Sequence, residues 1–152
     1  MNVQTSRRQC RAGVGRRSKH DAEIARPIFV LLIEDNPGDV LMVRQALAGE
    51  PIRVRVAVNG EQAIQIMTAS DFEADVVILD LNIPKVSGFS VLQRTRPTVP
   101  VVVFSSSSNP LDRQRSLELG AREFFQKPSD LDEYRKTVSS IVRTWGVRDD
   151  NK

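Results

Sequence analysis

A chain of 152 residues, 40% hydrophobic and 27% charged, has the size and composition of one soluble globular domain with one core. Its single cysteine, Cys10, cannot close an intramolecular disulfide, and with one histidine, His20, it has no zinc-ligand cluster, so a reducing cytoplasmic location is expected. The longest apolar run, residues 28–33, falls far short of the roughly 18 residues that span a bilayer, and no membrane partner is expected.

The formal net charge of +3 divides unevenly: residues 1–26 hold seven Lys/Arg against two acids, and residues 27–152 hold fifteen against seventeen. Residues 1–26 lack an apolar signal core and have few large apolar side chains to pack, which predicts a basic, disordered extension. Such a tail suits an anionic surface, but a charge run is usually only solvated, and no nucleic-acid partner is expected.

From residue 28 onward, short apolar runs alternate with stretches of helical spacing, the pattern of a parallel sheet with helices on its faces. The first run, "IFVLLI" at 28–33, is apolar throughout, as a central strand requires. It stops at Glu34 and Asp35. A helix over 37–48 then has its start written out: Asn36 as N-cap, Pro37 at the first helical position and Asp39 in the first turn. The second run, 53–58, alternates charged and apolar residues, which marks an edge strand, and leads past Asn59 into a helix over 61–69. The third, "VVIL" at 76–79, ends at Asp80; the loop "LNIPKVSG" and a helix over 88–95 follow. The fourth, 101–104, ends at Ser105, before a helix over 110–119. The fifth, 123–126, ends at Lys127. The last helix, 130–145, puts Leu131, Tyr134, Val138, Ile141, Val142 and Trp145 on one stripe, a core-facing surface without chemistry.

Right-handed crossovers bring the C-terminal ends of parallel strands to one edge of the sheet, where ligands of open α/β sheets bind. Glu34, Asp35, Asp80, Ser105 and Lys127 therefore become neighbours. Three carboxylates from two strand ends repel one another and call for a cation, and an all-oxygen site with few ligands suits magnesium. A carboxylate in such a place, Asp80, can attack a phosphoryl group, with Lys127 supplying fixed positive charge and Ser105 a hydroxyl donor. Each residue alone has a plain structural reading, as a helix cap or a solvated side chain. The conjunction is what carries the chemistry.

Taken in order, "EDN" after the first strand, "DLNIPKVSG" after the third, "PVVVFSSS" around the fourth and "GAREFFQKP" around the fifth resemble the response-regulator receiver domains of two-component signalling, over roughly residues 27–145. With "EDNPGDV" and the terminal "SIVRTW", the chain looks like the stand-alone receivers that serve bacterial phytochromes and related sensor kinases. The resemblance implies a flavodoxin-like (βα)5 doubly wound parallel sheet of strand order 2-1-3-4-5, with a receiver domain over 27–146 and a short polar tail at 147–152. It implies Asp80 as phosphoacceptor, Asp35 as a direct Mg2+ ligand, Glu34 in the outer shell and Asn82 as a ligand through its backbone carbonyl. Lys127 would pair with the phosphoryl group, with a cis Lys127–Pro128 bond; Ser105 is the switch hydroxyl and Phe124 the switch aromatic. The implied partners are a sensor histidine kinase and a second copy of the chain, joined through the fourth helix, fifth strand and fifth helix.

Three positions depart from the commoner pattern: Ser105 stands for threonine, Ser87 for aspartate and Phe124 for tyrosine. None removes a catalytic group. A haloacid-dehalogenase-like phosphatase is the alternative with the same aspartyl-phosphate chemistry, but it needs a DxDx[TV] motif after the first strand, where this chain has "EDN". A flavodoxin needs a hydroxyl-rich phosphate loop there, and acids would repel phosphate. The last residues, "GVRDDNK", are too short for an output domain, so the output is expected to pass through a partner or self-association.

Overall fold

The computed structural model describes residues 26–147, so the basic extension lies, but for Arg26, outside the described residues, as does most of the polar tail. Among the described residues five strands and five helices alternate: β1 (Ile28–Ile33), α1 (Pro37–Ala46), β2 (Ile52–Ala57), α2 (Gly60–Thr68), β3 (Val76–Leu79), α3 (Gly88–Thr95), β4 (Val101–Ser105), α4 (Pro110–Glu118), β5 (Glu123–Gln126) and α5 (Leu131–Trp145). All strand pairs are parallel and the order is β2-β1-β3-β4-β5.

Alternation along the central strands divides the core in two. Leu31, Ile33, Val77, Leu79, Val101 and Val103 face one side, under Ala63 and Ile66 of α2 and Val91 and Leu92 of α3. Val30, Leu32, Val76, Ile78, Val102 and Phe104 face the other, under Val43 of α1 and Tyr134, Val138, Ile141 and Val142 of α5. Burial on both faces explains why these strands read as continuous apolar runs. β2 alternates exposed and half-buried residues because it is the sheet's edge, as its pattern predicted.

Where boundaries differ from expectation, a hydrogen bond decides them. β2 ends at Ala57, not at residue 58, because the Val58 N–H leaves the ladder for Gln62 Oε1 at 2.8 Å. β4 extends to Ser105, which pairs with Gln126 and accepts the Lys127 N–H at 2.7 Å. α1 stops at Ala46 and the chain turns through Gly49, whose φ of +81° a side chain would strain. Asp130 caps α5 from outside by accepting the Glu133 N–H at 2.9 Å. Leu131 is then on the first turn and 46% exposed, so it drops out of the expected core stripe. No helix among the described residues is long and apolar enough to cross a membrane.

Candidate functional site

Each site residue is fixed by the backbone of its own strand end. β1 runs on into Glu34, whose N–H still pairs with Ala57 O at 3.0 Å, so the side chain stays in the sheet's grip and is 3% exposed. Its Oε1 accepts the Asn36 N–H at 3.1 Å. Asn36 in turn caps α1, its Oδ1 accepting from Gly38 N (2.8 Å) and Asp39 N (3.1 Å). Asp35, between them, is exposed.

Asp80 follows β3, with its N–H on Ile33 O at 3.0 Å and its Oδ1 accepting the Asn82 N–H at 3.1 Å. The start of α3 closes against it: the Gly88 N–H donates to Leu81 O at 3.1 Å, and a Cβ on Gly88 would lie 2.9 Å from the Asp80 carbonyl oxygen. Only glycine admits that approach.

Lys127, at the end of β5, closes the site. Its Nζ donates to Glu34 Oε2 at 2.7 Å and Asp80 Oδ2 at 3.1 Å, with the side chain 11% exposed. Glu34, Asp35 and Asp80 each offer a carboxylate oxygen, all within 4.8 Å of one another. The donor set is hard and anionic, which fits an oxygen-liganded divalent cation such as magnesium. Asn82 is an exposed loop residue beside it.

The electrostatics follow from burial. Desolvation pushes the Glu34 carboxyl up to about 7, helped by the Asp80 charge and opposed by the hydrogen bond and charge of Lys127. Burial also acts to lower the Lys127 pKa, but the Glu34 hydrogen bond and the charges of Asp80, Glu34 and Asp39 outweigh it, and the ammonium is held above its ordinary value.

Ser105 is fully buried, its Oγ accepting the Ser107 N–H at 3.3 Å. Phe124 is buried in the α2/α3 core layer and pairs with Val103. Since Ser105 pairs with Gln126, Ser105 and Phe124 occupy the same face of the β4–β5 pair, two positions apart. The expected cis Lys127–Pro128 bond is corrected, because no cis peptide bond is present among the described residues. The trans form is intrinsically favoured for X–Pro bonds, and in it Lys127 already reaches both carboxylates.

Two participants escaped the strand-end reasoning. Asp39 Oδ2 lies 3.5 Å from Lys127 Nζ, and Asp39 Oδ1 accepts the Tyr134 hydroxyl at 2.8 Å. The sequence read Asp39 as a helix-dipole acid and Tyr134 as core. The available signal was chemical: Tyr134 is the chain's one tyrosine, and a phenol on a core-facing stripe must find an acceptor.

A family model described as the response regulator receiver domain matches residues 30–139. The transcriptional regulatory protein KdpE of Mycobacterium tuberculosis is 34% identical over 117 residues, covering 76% of this chain and 51% of that protein. The chain spans about half the length, or less, of the curated relatives it matches. Among solved structures, the phosphorylated cyanobacterial phytochrome response regulator RcpA is 30% identical with a TM-score of 0.71, over 78% of this chain and 94% of that one. The Mn2+-bound form of the response regulator Rcp1 is 26% identical with a TM-score of 0.71, over 79% and 95%. The dehalogenase-like phosphatase alternative finds no support in these matches or in the acids that follow β1.

Proposed function

The chain belongs to the response regulator receiver domain family, and from that premise we propose that Asp80 accepts a phosphoryl group from a sensor histidine kinase and passes the change to the α4-β5-α5 face. The observation that carries this reading is the convergence at Lys127 Nζ, 2.7 Å from Glu34 and 3.1 Å from Asp80, beside the exposed Asp35.

A receiver domain is a signalling domain, and its chemistry is limited to its own phosphoryl group. An Asp80 carboxylate oxygen forms the new bond to phosphorus as the bond to the donor's nitrogen or oxygen breaks, and water later returns the free carboxylate. Glu34, Asp35, Asp80 and the Asn82 carbonyl would hold Mg2+, which when bound supplies positive charge to the phosphoryl oxygens. Lys127 supplies the other fixed charge, exchanging a carboxylate contact for a phosphoryl oxygen. The Ser105 hydroxyl turns to donate to the same group, and Phe124, on the same face, moves with it. The cognate kinase is of the phytochrome-linked type, a reading supported by the likeness to RcpA. The output is self-association through α4-β5-α5, where exposed Arg113, Glu118, Arg122 and Asp132 mix both signs, so that the face can be complementary to itself about the two-fold axis of a homodimer.

The decisive experiment is phosphoryl uptake from acetyl phosphate with Mg2+, followed on intact protein. Wild type gains one acid-labile phosphoryl group, and Asp80→Asn, which keeps the shape and loses the nucleophile, gains none. Undiminished uptake by Asp80→Asn would reject the assignment.

A further inference from the structure

Lys127 faces three carboxylates, and only Glu34 and Asp80 stand at strand ends. The third, Asp39, lies in the first turn of α1 and is 19% exposed, a setting in which an acid ordinarily samples several rotamers in water. Here it does not stand alone. Its Oδ1 takes the hydroxyl of Tyr134 at 2.8 Å, which leaves Oδ2 turned toward the ammonium at 3.5 Å.

Tyr134 is well placed to hold it. The residue is buried on α5, its ring meeting Phe104 edge to face at 4.9 Å and 66°. A phenylalanine would give the same packing. The hydroxyl adds only the bond to Asp39, and a buried hydroxyl is costly unless its acceptor is in place. Both ends of the link are therefore anchored, Tyr134 by the core and Asp39 by the capped start of α1.

Building on the reading of Lys127 as the cation that pairs with the phosphoryl group, we propose that Tyr134 is a positioning residue for Lys127, acting through Asp39. An ammonium has three N–H donors, and Asp39 gives it a third anion beside those of Glu34 and Asp80. The link also makes the first turn of α5 part of the site. Tyr134 and Phe104 belong to the α1/α5 layer, whereas Phe124 belongs to the α2/α3 layer. A change at Lys127 is thus felt in the α1/α5 layer through Asp39 and Tyr134, and by reciprocity whatever engages the start of α5 alters the site.

A mutant cycle on the full chain tests this: wild type, Tyr134→Phe, Asp39→Ala and the double variant. Two quantities are read, the initial rate of acetyl phosphate uptake with Mg2+, and the exchange rate of the Lys127 ammonium protons by 15N NMR in chelator without donor. Tyr134→Phe should slow uptake and speed ammonium exchange, each about fivefold, the size expected from one charge-assisted hydrogen bond near solvent. In the Asp39→Ala background the same change should do nothing further. An amide 1H–15N NMR spectrum that changes only around the α1–α5 contact assigns the effect to the hydroxyl and not to repacking. An exchange rate in Tyr134→Phe equal to wild type, or an effect that persists undiminished without Asp39, overturns the proposal. Wild type that takes up no phosphoryl group defeats the functional reading instead, and ammonium exchange still judges the positioning role.

Discussion

Replacing Lys127 by methionine removes the cation that holds Glu34, Asp80 and Asp39 around its Nζ, at 2.7, 3.1 and 3.5 Å. Deleting one partner of a buried ion pair costs ~3–5 kcal/mol, because the other charge is left without compensation. The Asp39 side is open enough to admit water, so the lower end applies, about 3 kcal/mol at pH 8 in chelator. For a domain of this size that is a fall in Tm of roughly 10 °C. The pH dependence has a definite sign. Burial holds the Glu34 carboxyl at about 7, against 4.5 ordinarily, so the folded state binds that proton more tightly than the unfolded chain. Its contribution is fully present below the unfolded value and is lost as the pH rises through the folded one. Without the ammonium, which opposes the upward shift, the folded value rises further. The deficit of Lys127→Met should therefore be largest above pH 7 and shrink toward pH 5, where Glu34 takes up its proton. Urea denaturation of both proteins at pH 8 and pH 5, followed by circular dichroism, measures it. Equal stability at pH 8, or a deficit that widens on acidification, would refute the argument that Lys127 compensates a buried Glu34.

Asp35→Asn should weaken Mg2+ binding, measured by titration calorimetry, and raise metal-free stability by no more than about 1 kcal/mol, since Asp35 is exposed and its repulsion by Glu34 and Asp80 is screened. Lower metal-free stability would mean that the acids are not in conflict. Gly60→Ala should destabilise by about 3 kcal/mol in thermal melts, because its Cβ would come within 2.0 Å of the Val86 carbonyl oxygen, a backbone atom that cannot step aside; a wild-type Tm would show that the β3–α3 loop yields freely. Beryllofluoride should tighten self-association, and Arg122→Glu and added salt should weaken it. Sedimentation shows this, and a monomer in every sample would remove the dimer.

The sheet was legible because burial writes itself into periodicity. The three central strands are covered on both sides and read as unbroken apolar runs, while β2, covered on one edge only, reads as "RVRVAV". The ends were less legible, since they depend on single hydrogen bonds. Val58 has the composition of a strand residue and is 49% exposed, and only the diversion of its N–H to Gln62 places it outside β2. Leu131 failed for a similar reason: Asp130, just before it, caps the helix from outside, so the stripe begins at Tyr134.

The site divides along the same line. Glu34, Asp80 and Lys127 could be gathered from sequence because each follows the end of a parallel strand, and the handedness of the crossovers sends all such ends to one edge. That rule says nothing about helices. Which residue of α1 leans over the strand ends, and which residue of α5 meets it, depends on how the two helices pack on the sheet, and neither period reveals that. Asp39 and Tyr134 are 95 positions apart and touch only because Val43 and Val138 bring α1 and α5 down on one apolar layer. A polar group on a core-facing stripe is the one local trace of such a contact. The hydroxyl of Tyr134 carries no packing value that phenylalanine lacks, so its presence among valines and isoleucines already required an acceptor. The acid-rich edge of the sheet is the nearest place to find one.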